Sequence, residues 1–190
     1  DHKKILNIDG KVAYTGGINI SDEYINKEHP RFNYWKDTAI KISGPAVRSF
    51  TAMFIQQWNI ANKTKIEYEK YINIEYKKYQ PFGTIIPYAD NAHNNEDIAE
   101  NIYNYILSIS HKYVHIMTPY IIIDSSLLEA LIFAAKRNVK VELIVPKNYD
   151  HFITFCVGRT FIKKLIENGI KVYQYEPGFI HAKSFVSDDN

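Results

Sequence analysis

The second half of the chain alternates between two patterns of apolar residues. Apolar residues spaced three or four positions apart predict amphipathic helices over residues 97–110, 127–137 and 152–167. Short runs rich in β-branched and aromatic residues predict strands over residues 113–118, 139–145, 170–175 and 181–186. Strands that alternate with helices in this way form a mostly parallel sheet with helices on its faces. The fold class is therefore α/β.

The first part of the chain predicts a different arrangement. Residues 3–8 and 11–14 have the pattern of two strands, and Asp9-Gly10 between them is a strong signal for a hairpin turn. Residues 20–36 are polar and predict a loop, whereas residues 37–42 alternate as a strand does. This region therefore lacks the regular strand–helix alternation seen later.

The sequence predicts two further elements and marks the starts of two helices. Ser43-Gly44-Pro45 indicates the start of a helix, because proline is tolerated in the first turn. Helical spacing gives that helix an apolar stripe, expected in the core, of Val47, Phe50, Phe54 and Trp58. Residues 82–88 predict a strand, and Ser126 with Glu129 predicts a capping box for the helix that follows.

Composition and charge exclude several classes of protein. The 23 Lys and Arg residues nearly balance the 21 Asp and Glu residues, and the pI is near 8.4, so a nucleic-acid partner is not expected. No run of about 18 apolar residues is present, so no segment is expected to span a bilayer. The single cysteine, Cys156, excludes disulfides within the chain, and its apolar neighbours predict a buried position.

One short motif occurs twice. Both copies have the spacing His-x-Lys-x4-Asp, and they consist of His2, Lys4 and Asp9, and of His181, Lys183 and Asp188. A single histidine or lysine on a strand is most often an ordinary surface residue. Two copies of one spacing are harder to attribute to chance, and they indicate two related lobes.

The types of residue in this motif suit phosphoryl chemistry. Side chains alternate along a strand, so the histidine and lysine of each copy share one face. The aspartates lie an odd number of positions away, and a structural role is therefore expected for Asp9 and Asp188. Imidazole can attack phosphorus or move a proton near neutral pH, and lysines stabilise charge on phosphoryl oxygens. Neither a metal nor another cofactor is needed for such chemistry.

At these paired motifs the chain resembles the phospholipase D superfamily, and within it the bacterial cardiolipin synthases. The resemblance runs nearly end to end, and its other segments are Gly16-Gly-Ile-Asn19 with Asp22-Glu-Tyr24, Trp35-Lys-Asp37, Thr118-Pro-Tyr120, Val141-Glu-Leu-Ile-Val-Pro146 and Tyr175-Glu-Pro-Gly-Phe-Ile-His181. It implies a two-lobed α/β/α sandwich of which this chain is a fragment. Residues 1–60 would close the first lobe, residues 61–80 would connect, and residues 81–190 would begin the second lobe.

The resemblance also implies a reaction, the transfer of a phosphatidyl group between two phosphatidylglycerols through a phosphohistidine, giving cardiolipin and glycerol. His2 would be the nucleophile and His181 the general acid and then base, although two nearly equivalent motifs leave this order open. Lys4, Lys183 and Asn19 would hold the phosphate oxygens.

Further residues have implied supporting roles. Asp37 would accept a hydrogen bond from His2, the first histidine. Gly16 and Gly17 belong to the structural motif, where the backbone can approach a ligand closely. Tyr120 and His151 would border the substrate.

The implied partner is a phospholipid at the bacterial cell membrane, with any membrane anchor outside these residues. The segment that follows the second motif in the family is absent here. His181 is therefore expected to lack an orienting carboxylate, and these 190 residues alone are expected to be inactive. A phospholipase D that uses water, a nuclease of the same superfamily and a non-enzymatic scaffold remain open as alternatives.

Overall fold

The computed structural model describes residues 2–27, 32–76, 80, 83–90 and 96–189. The chain divides into two compact units. The first unit comprises Asp1–Gly16 and Ala39–Ile98, and the second unit comprises Gly17–Thr38 and Ala99–Asn190. The predicted division into lobes with a connector at residues 61–80 stays a prediction.

Strands and helices are named here in chain order. The described strands are β1 (Ile5–Ile8), β2 (Val12–Gly16), β3 (Trp35–Lys36), β4 (Ala39–Ser43), β5 (Tyr113–Met117), β6 (Lys140–Pro146), β7 (Lys171–Tyr175), β8 (Phe179–Ile180) and β9 (Ser184–Ser187). The described helices are α1 (Val47–Asn62), α2 (Glu69–Ile72), α3 (Ile98–Ile109), α4 (Ser125–Lys136), α5 (Phe152–Glu167) and a 3₁₀ helix at Asp22–Ile25. Among these helices, none combines the length and apolarity that crossing a bilayer requires.

The first unit is built on an antiparallel sheet in the order β1-β2-β4. Asp9 and Gly10 join β1 to β2, and both have positive φ angles, 53° and 63°. Positive φ at both turn residues matches the twist of the flanking strands, and glycine adopts it without strain. The backbone N–H of Gly10 also donates to Oδ1 of Asn7 at 3.1 Å. The predicted hairpin is confirmed.

Helix α1 packs against this sheet through only part of its predicted stripe. The buried cluster consists of Ala13, Ile42, Val47 and Phe50. Phe54 and Trp58 are instead 57% and 46% exposed. The buried positions of α1 continue through Thr51 and Ile55, because the face toward the sheet follows steps of four residues from Val47. The core assignment of Phe54 and Trp58 was therefore wrong.

The second unit contains a sheet in the order β7-β6-β5-β9. Strands β5, β6 and β7 are parallel, and β9 is antiparallel to β5. Helices α3, α4 and α5 share one apolar core with these strands, including Leu107, Val114, Leu128, Leu143 and Leu165. The predicted α/β architecture, with a mostly parallel sheet and flanking helices, is confirmed.

Three local predictions were wrong. The side chain of Asp124 caps α4 by accepting hydrogen bonds from the N–H groups of Ser126 and Leu127, so Ser126 with Glu129 is not the cap. Residues 83–88 form no strand, and Phe82 lies outside the described residues. Cys156 is exposed rather than buried, because it lies on the outer face of α5.

Two predicted segments divide into shorter elements. Residues 20–36, predicted as a loop, contain the 3₁₀ helix and β3. Residues 181–186 were predicted as one strand, but β8 ends at Ile180 and β9 begins at Ser184. His181 therefore lies in the short link between two strands that belong to different sheets.

Asp188 anchors the end of β9. Its carboxylate accepts hydrogen bonds from the backbone N–H groups of His111, Lys112 and Tyr113 at 2.7–2.9 Å. These hydrogen bonds join the end of β9 to the start of β5, as a structural role of Asp188 requires. Donation from the N–H groups of Tyr113 and His111 holds the pKa of the Asp188 carboxyl below its usual range.

This geometry predicts a pH-dependent contribution of Asp188 to stability. A carboxyl with a lowered pKa in the folded state contributes stability above its unfolded pKa, and that stability is lost as pH falls through the folded pKa. We expect Asp188→Asn to lower the unfolding midpoint at neutral pH, with a difference from wild type that shrinks in acid. Asp9→Asn is the matched control, because asparagine adopts the left-handed turn conformation readily. A difference that stays constant with pH would contradict this role.

Candidate active site

Asp37 and His181 meet because two short strands pair in parallel. In the pairing of β3 with β8, Trp35 is the partner of Phe179, so Asp37 and His181 occupy corresponding positions two residues further on. The backbone N–H of His181 donates to the carbonyl oxygen of Lys36 at 2.7 Å, which continues this register. The rings of Trp35 and Phe179 pack with centroids 4.6 Å apart and hold the strands together.

The two side chains form a buried hydrogen-bonded pair. Oδ2 of Asp37 lies 2.7 Å from Nδ1 of His181, and the side chains are only 4% and 10% exposed. Oδ1 of Asp37 accepts from the backbone N–H of Thr38 at 2.7 Å. A carboxylate at Nδ1 fixes the ring orientation and leaves Nε2 as the reactive nitrogen.

This pairing corrects the role predicted for Asp37. The sequence assigned the carboxylate to His2 and left His181 without one, but Asp37 binds His181. The physical reason is the β3–β8 register, which a pairing of two-residue strands does not reveal in the sequence. Asp37 is therefore the orienting carboxylate of the second histidine.

Gly17 leaves the space that the carboxylate occupies. A Cβ atom added at Gly17 would lie 2.2 Å from Oδ1 of Asp37, far inside van der Waals contact. The N–H of Gly17 donates to the carbonyl oxygen of Thr38 at 3.0 Å and fixes this approach. Gly17 thus leaves room for the Asp37 carboxylate, whereas Gly16 ends β2 opposite Ala39.

Lys183 contacts the ring of His181. Its Nζ lies 2.9 Å from both ring nitrogens and 2.5 Å from the carbonyl oxygen of His181. We assign the Nδ1–H tautomer from this network, because Asp37 accepts at Nδ1 and an ammonium can only donate. Lys183 then donates to Nε2. A bound phosphoryl oxygen can replace Nε2 as the acceptor of this hydrogen bond.

Aromatic residues surround His181. Tyr24 meets the ring edge-on with centroids 5.4 Å apart, and Trp35 lies at 5.7 Å. The hydroxyl of Tyr24 is 3.3 Å from Nδ1 of His181 and accepts from Nδ2 of Asn19 at 2.6 Å. Burial raises the pKa of Tyr24, which keeps the phenol protonated. Asn19 therefore reaches the site, with one of its two amide hydrogens bound to Tyr24.

Sequence reasoning did not assign site roles to Tyr24 and Trp35. A signal was present, since both residues lie within the segments that carry the family resemblance. Neither carries a charge or a nucleophile, however, and only the packing around the histidine shows that they position it.

In the first unit, His2 and Lys4 repeat the local geometry of the second pair. Nζ of Lys4 lies 2.9 Å from both ring nitrogens of His2 and 2.7 Å from its carbonyl oxygen. His2 is exposed. The repeated spacing thus gives a repeated conformation, in which each lysine folds back over its own histidine.

Tyr120 and His151 meet around a residue that the sequence did not single out. The hydroxyl of Tyr120 donates to Oδ2 of Asp150, and the backbone N–H of His151 donates to Oδ1 at 2.8 Å. Burial, together with the hydrogen bond to Asp150, raises the pKa of Tyr120. All three residues line a cavity of about 620 Å³ in the second unit.

The described part of the chain contains no group of three or more His, Cys, Asp or Glu side chains arranged to hold a metal ion. Beside His181, positive charge comes from Lys183.

Residues 104–190 match the family described as cardiolipin synthase, PLD-like domain. Among curated relatives, a Clostridium perfringens (strain SM101 / Type A) cardiolipin synthase is 36% identical over 200 residues, covering all of this chain and 40% of the relative. A cardiolipin synthase of Geobacillus sp. (strain WCH70) is 31% identical, covering 99% of this chain and 37% of the relative. An uncharacterized protein of Streptococcus mutans is 46% identical, covering 100% of this chain and 41% of the relative.

The chain thus spans about two fifths of the length of these relatives. Among solved structures, phosphatidylserine synthase of Haemophilus influenzae Rd KW20 is similar with a TM-score of 0.62 and 15% identity. The similarity covers 99% of this chain and 52% of that one, and it shows a shared fold.

The packing of Gly17 gives a testable prediction. We expect Gly17→Ala to destabilise the protein by about 1–3 kcal/mol, because the new methyl group overlaps the Asp37 carboxylate. The backbone of Gly17 is not left-handed, so steric overlap alone opposes the substitution. Chemical denaturation of Gly17→Ala, Asp37→Ala and the double variant measures the coupling.

The double variant decides the cause. If the methyl group acts on Asp37, Gly17→Ala costs little in the Asp37→Ala background. Gly158→Ala is the matched control, because its added Cβ would lie at an ordinary 3.4 Å from the carbonyl oxygen of Ile121. An equal cost of Gly17→Ala in both backgrounds would contradict the account.

Proposed function

We propose that the chain belongs to the phospholipase D superfamily and that it forms part of a phosphatidyltransferase, which makes cardiolipin and glycerol from two phosphatidylglycerols. The observation that carries the proposal is the buried Asp37–His181 pair with Lys183 beside the ring. The similarity to cardiolipin synthases supports this choice of substrate. The substrate is a membrane lipid, so the protein would act at the bacterial cell membrane.

In the first half of the proposed reaction, His2 and His181 act on one phosphodiester. A ring nitrogen of His2 attacks phosphorus, an N–P bond forms, and the P–O bond to the head-group glycerol breaks. His181 gives the departing glycerol oxygen a proton. The carboxylate of Asp37 at Nδ1 leaves Nε2 of His181 as the nitrogen that can exchange a proton with the substrate, which supports the acid role for His181.

In the second half, His181 acts as a base. A hydroxyl oxygen of the second phosphatidylglycerol attacks the phosphorus of the phosphohistidine and breaks the N–P bond, while its proton passes to His181. Cardiolipin is released and His2 is regenerated. Lys4, Lys183 and Asn19 hold the phosphoryl oxygens, and their positive or donor groups stabilise the charge that develops in each step.

Labelled phosphatidylglycerol supplied to the full-length protein tests the proposal. Labelled cardiolipin with release of glycerol is the expected result. Phosphatidic acid without cardiolipin would show that the protein is a phospholipase D, which uses water as the acceptor, and not a transferase. Cleavage of DNA phosphodiesters without any lipid product would show that the protein is a nuclease.

Removal of the proposed nucleophile gives a second prediction. We expect His2→Ala to abolish phosphatidyl transfer, because no covalent intermediate can form. His115→Ala is the matched control, since the His115 side chain is 47% exposed and its ring contacts Glu142 outside the site. Transfer at the wild-type rate in His2→Ala would exclude a phosphohistidine at this residue.

Asp37→Asn separates orientation from folding. The amide of asparagine presents a donor to Nδ1 of His181 and disfavours the Nδ1–H tautomer. Losing a charged hydrogen bond of about 1.5–3 kcal/mol lowers a rate by about tenfold to a hundredfold. We expect this loss in transfer rate with a circular dichroism spectrum like that of wild type. An unfolded Asp37→Asn protein would show that Asp37 is structural.

A further inference from the structure

The cavity of the second unit lies next to the aromatic residues that pack around His181. It lies beside α5, and Phe179 forms part of its wall. The ring of Phe179 is also stacked on His181, with centroids 6.3 Å apart. The cavity wall therefore includes the same aromatic residue that packs against the histidine. At about 620 Å³ the cavity falls within the usual range for ligand sites.

One part of the cavity wall is polar and pre-organised. Asp150 is held by the hydroxyl of Tyr120 and by the backbone N–H of His151, and its side chain is 14% exposed. An ionised carboxylate offers about four acceptor positions, so two hydrogen bonds leave others for a ligand. A fixed, mostly buried carboxylate with spare acceptor positions is suited to bind a hydroxyl group.

The rest of the cavity is lined mainly by apolar surface. One stripe of α5 forms its long side, at helical spacing, and consists of Thr154, Phe155, Gly158, Ile162 and Ile166. From Thr154 to Ile166 this stripe is about 18 Å long at 1.5 Å per residue. Half of a bilayer's hydrocarbon core is about 15 Å thick. The stripe is therefore long enough for one acyl chain of a leaflet.

Cationic side chains border this apolar stripe. Arg159 and Lys163 line the cavity from α5, and the guanidinium of Arg159 lies over the ring of Phe155, 5.6 Å from its centroid. Long basic side chains cover apolar surface with their stems while their charged ends face water. Their charge is complementary to the phosphate of an anionic lipid.

We propose that this cavity binds the acceptor lipid, a phospholipid whose head group carries a free diol, with one hydroxyl on Asp150 and one acyl chain along α5. The inference rests on the proposed function and names the site of its second substrate. The other hydroxyl of the same head group is left to react. Its oxygen forms the new P–O bond, the N–P bond breaks, and its proton passes to His181.

The test compares transfer with hydrolysis in the full-length protein on phosphatidylglycerol vesicles. Water competes with the acceptor for the intermediate, so the ratio of cardiolipin to phosphatidic acid reports acceptor binding whatever the total rate. We expect the ratio to fall about tenfold or more in Asp150→Asn, which is nearly isosteric, because a hydrogen bond to a charged group is weakened. Ile162→Trp, which fills the stripe, should lower it as well.

Two matched controls should leave the ratio unchanged. Glu129→Ala removes a carboxylate from α4 whose side chain is 67% exposed, and Ile153→Trp enlarges a position of α5 that is 79% exposed. Neither residue lines the cavity. A ratio that falls equally in the controls would overturn the assignment to this cavity.

Short alcohols as acceptors distinguish the contribution of Asp150 from that of the apolar stripe on α5. In competition between glycerol and propanol as acceptors, we expect wild type to prefer the diol-bearing glycerol. Asp150→Asn should lose that preference, whereas Ile162→Trp should keep it, because neither alcohol has an acyl chain.

The outcomes distinguish this inference from the proposed function. Wild-type protein that makes no cardiolipin counts against the proposed function itself. Wild-type protein that makes cardiolipin, together with unchanged ratios in Asp150→Asn and Ile162→Trp, overturns the acceptor site alone.

Discussion

The parallel pairing of β3 with β8 is the constraint on which the site depends. Two residues on each strand are enough to place Asp37 beside His181, at 2.7 Å and largely out of water. A carboxylate and an imidazole so far apart in sequence would otherwise have no reason to meet. Burial strengthens their hydrogen bond and makes an unpaired partner costly, so the pair reinforces the register that creates it.

The residues around this pair restrict the positions of the carboxylate and of the ring. Gly17 leaves room for the carboxylate, and Asn19 fixes the hydroxyl of Tyr24 near Nδ1. Trp35 and Phe179 pack against the ring of His181. Lys183 then approaches the remaining nitrogen. These contacts hold His181 in one orientation and favour the assigned Nδ1–H tautomer, which is the form of pre-organisation that the proposed reaction requires.

Periodicity predicted the regular part of the fold well and the irregular part poorly. Helix α5 and the hairpin at Asp9-Gly10 follow from apolar spacing and turn residues, which act locally. The strand predicted over residues 181–186 failed because a run of β-forming residues does not show where a chain passes from one sheet to another.

For the candidate site too, sequence reasoning predicted the local contacts and missed the long-range ones. The duplicated motif identified both histidine–lysine pairs, whose contacts span only two residues. The partner of Asp37 was misassigned, because it depends on a long-range register that no local signal encodes. Asp150 was missed for a similar reason, since its importance comes from Tyr120, which is thirty residues earlier in the chain.

The most direct test of the account is the tautomer of His181, measured by ¹⁵N NMR on histidine-labelled protein and assigned with a His181→Gln variant. The account predicts that the neutral ring carries its proton on Nδ1, and that Asp37→Asn shifts the population toward the Nε2–H form. A neutral His181 ring protonated mainly on Nε2 in the wild-type protein would contradict it.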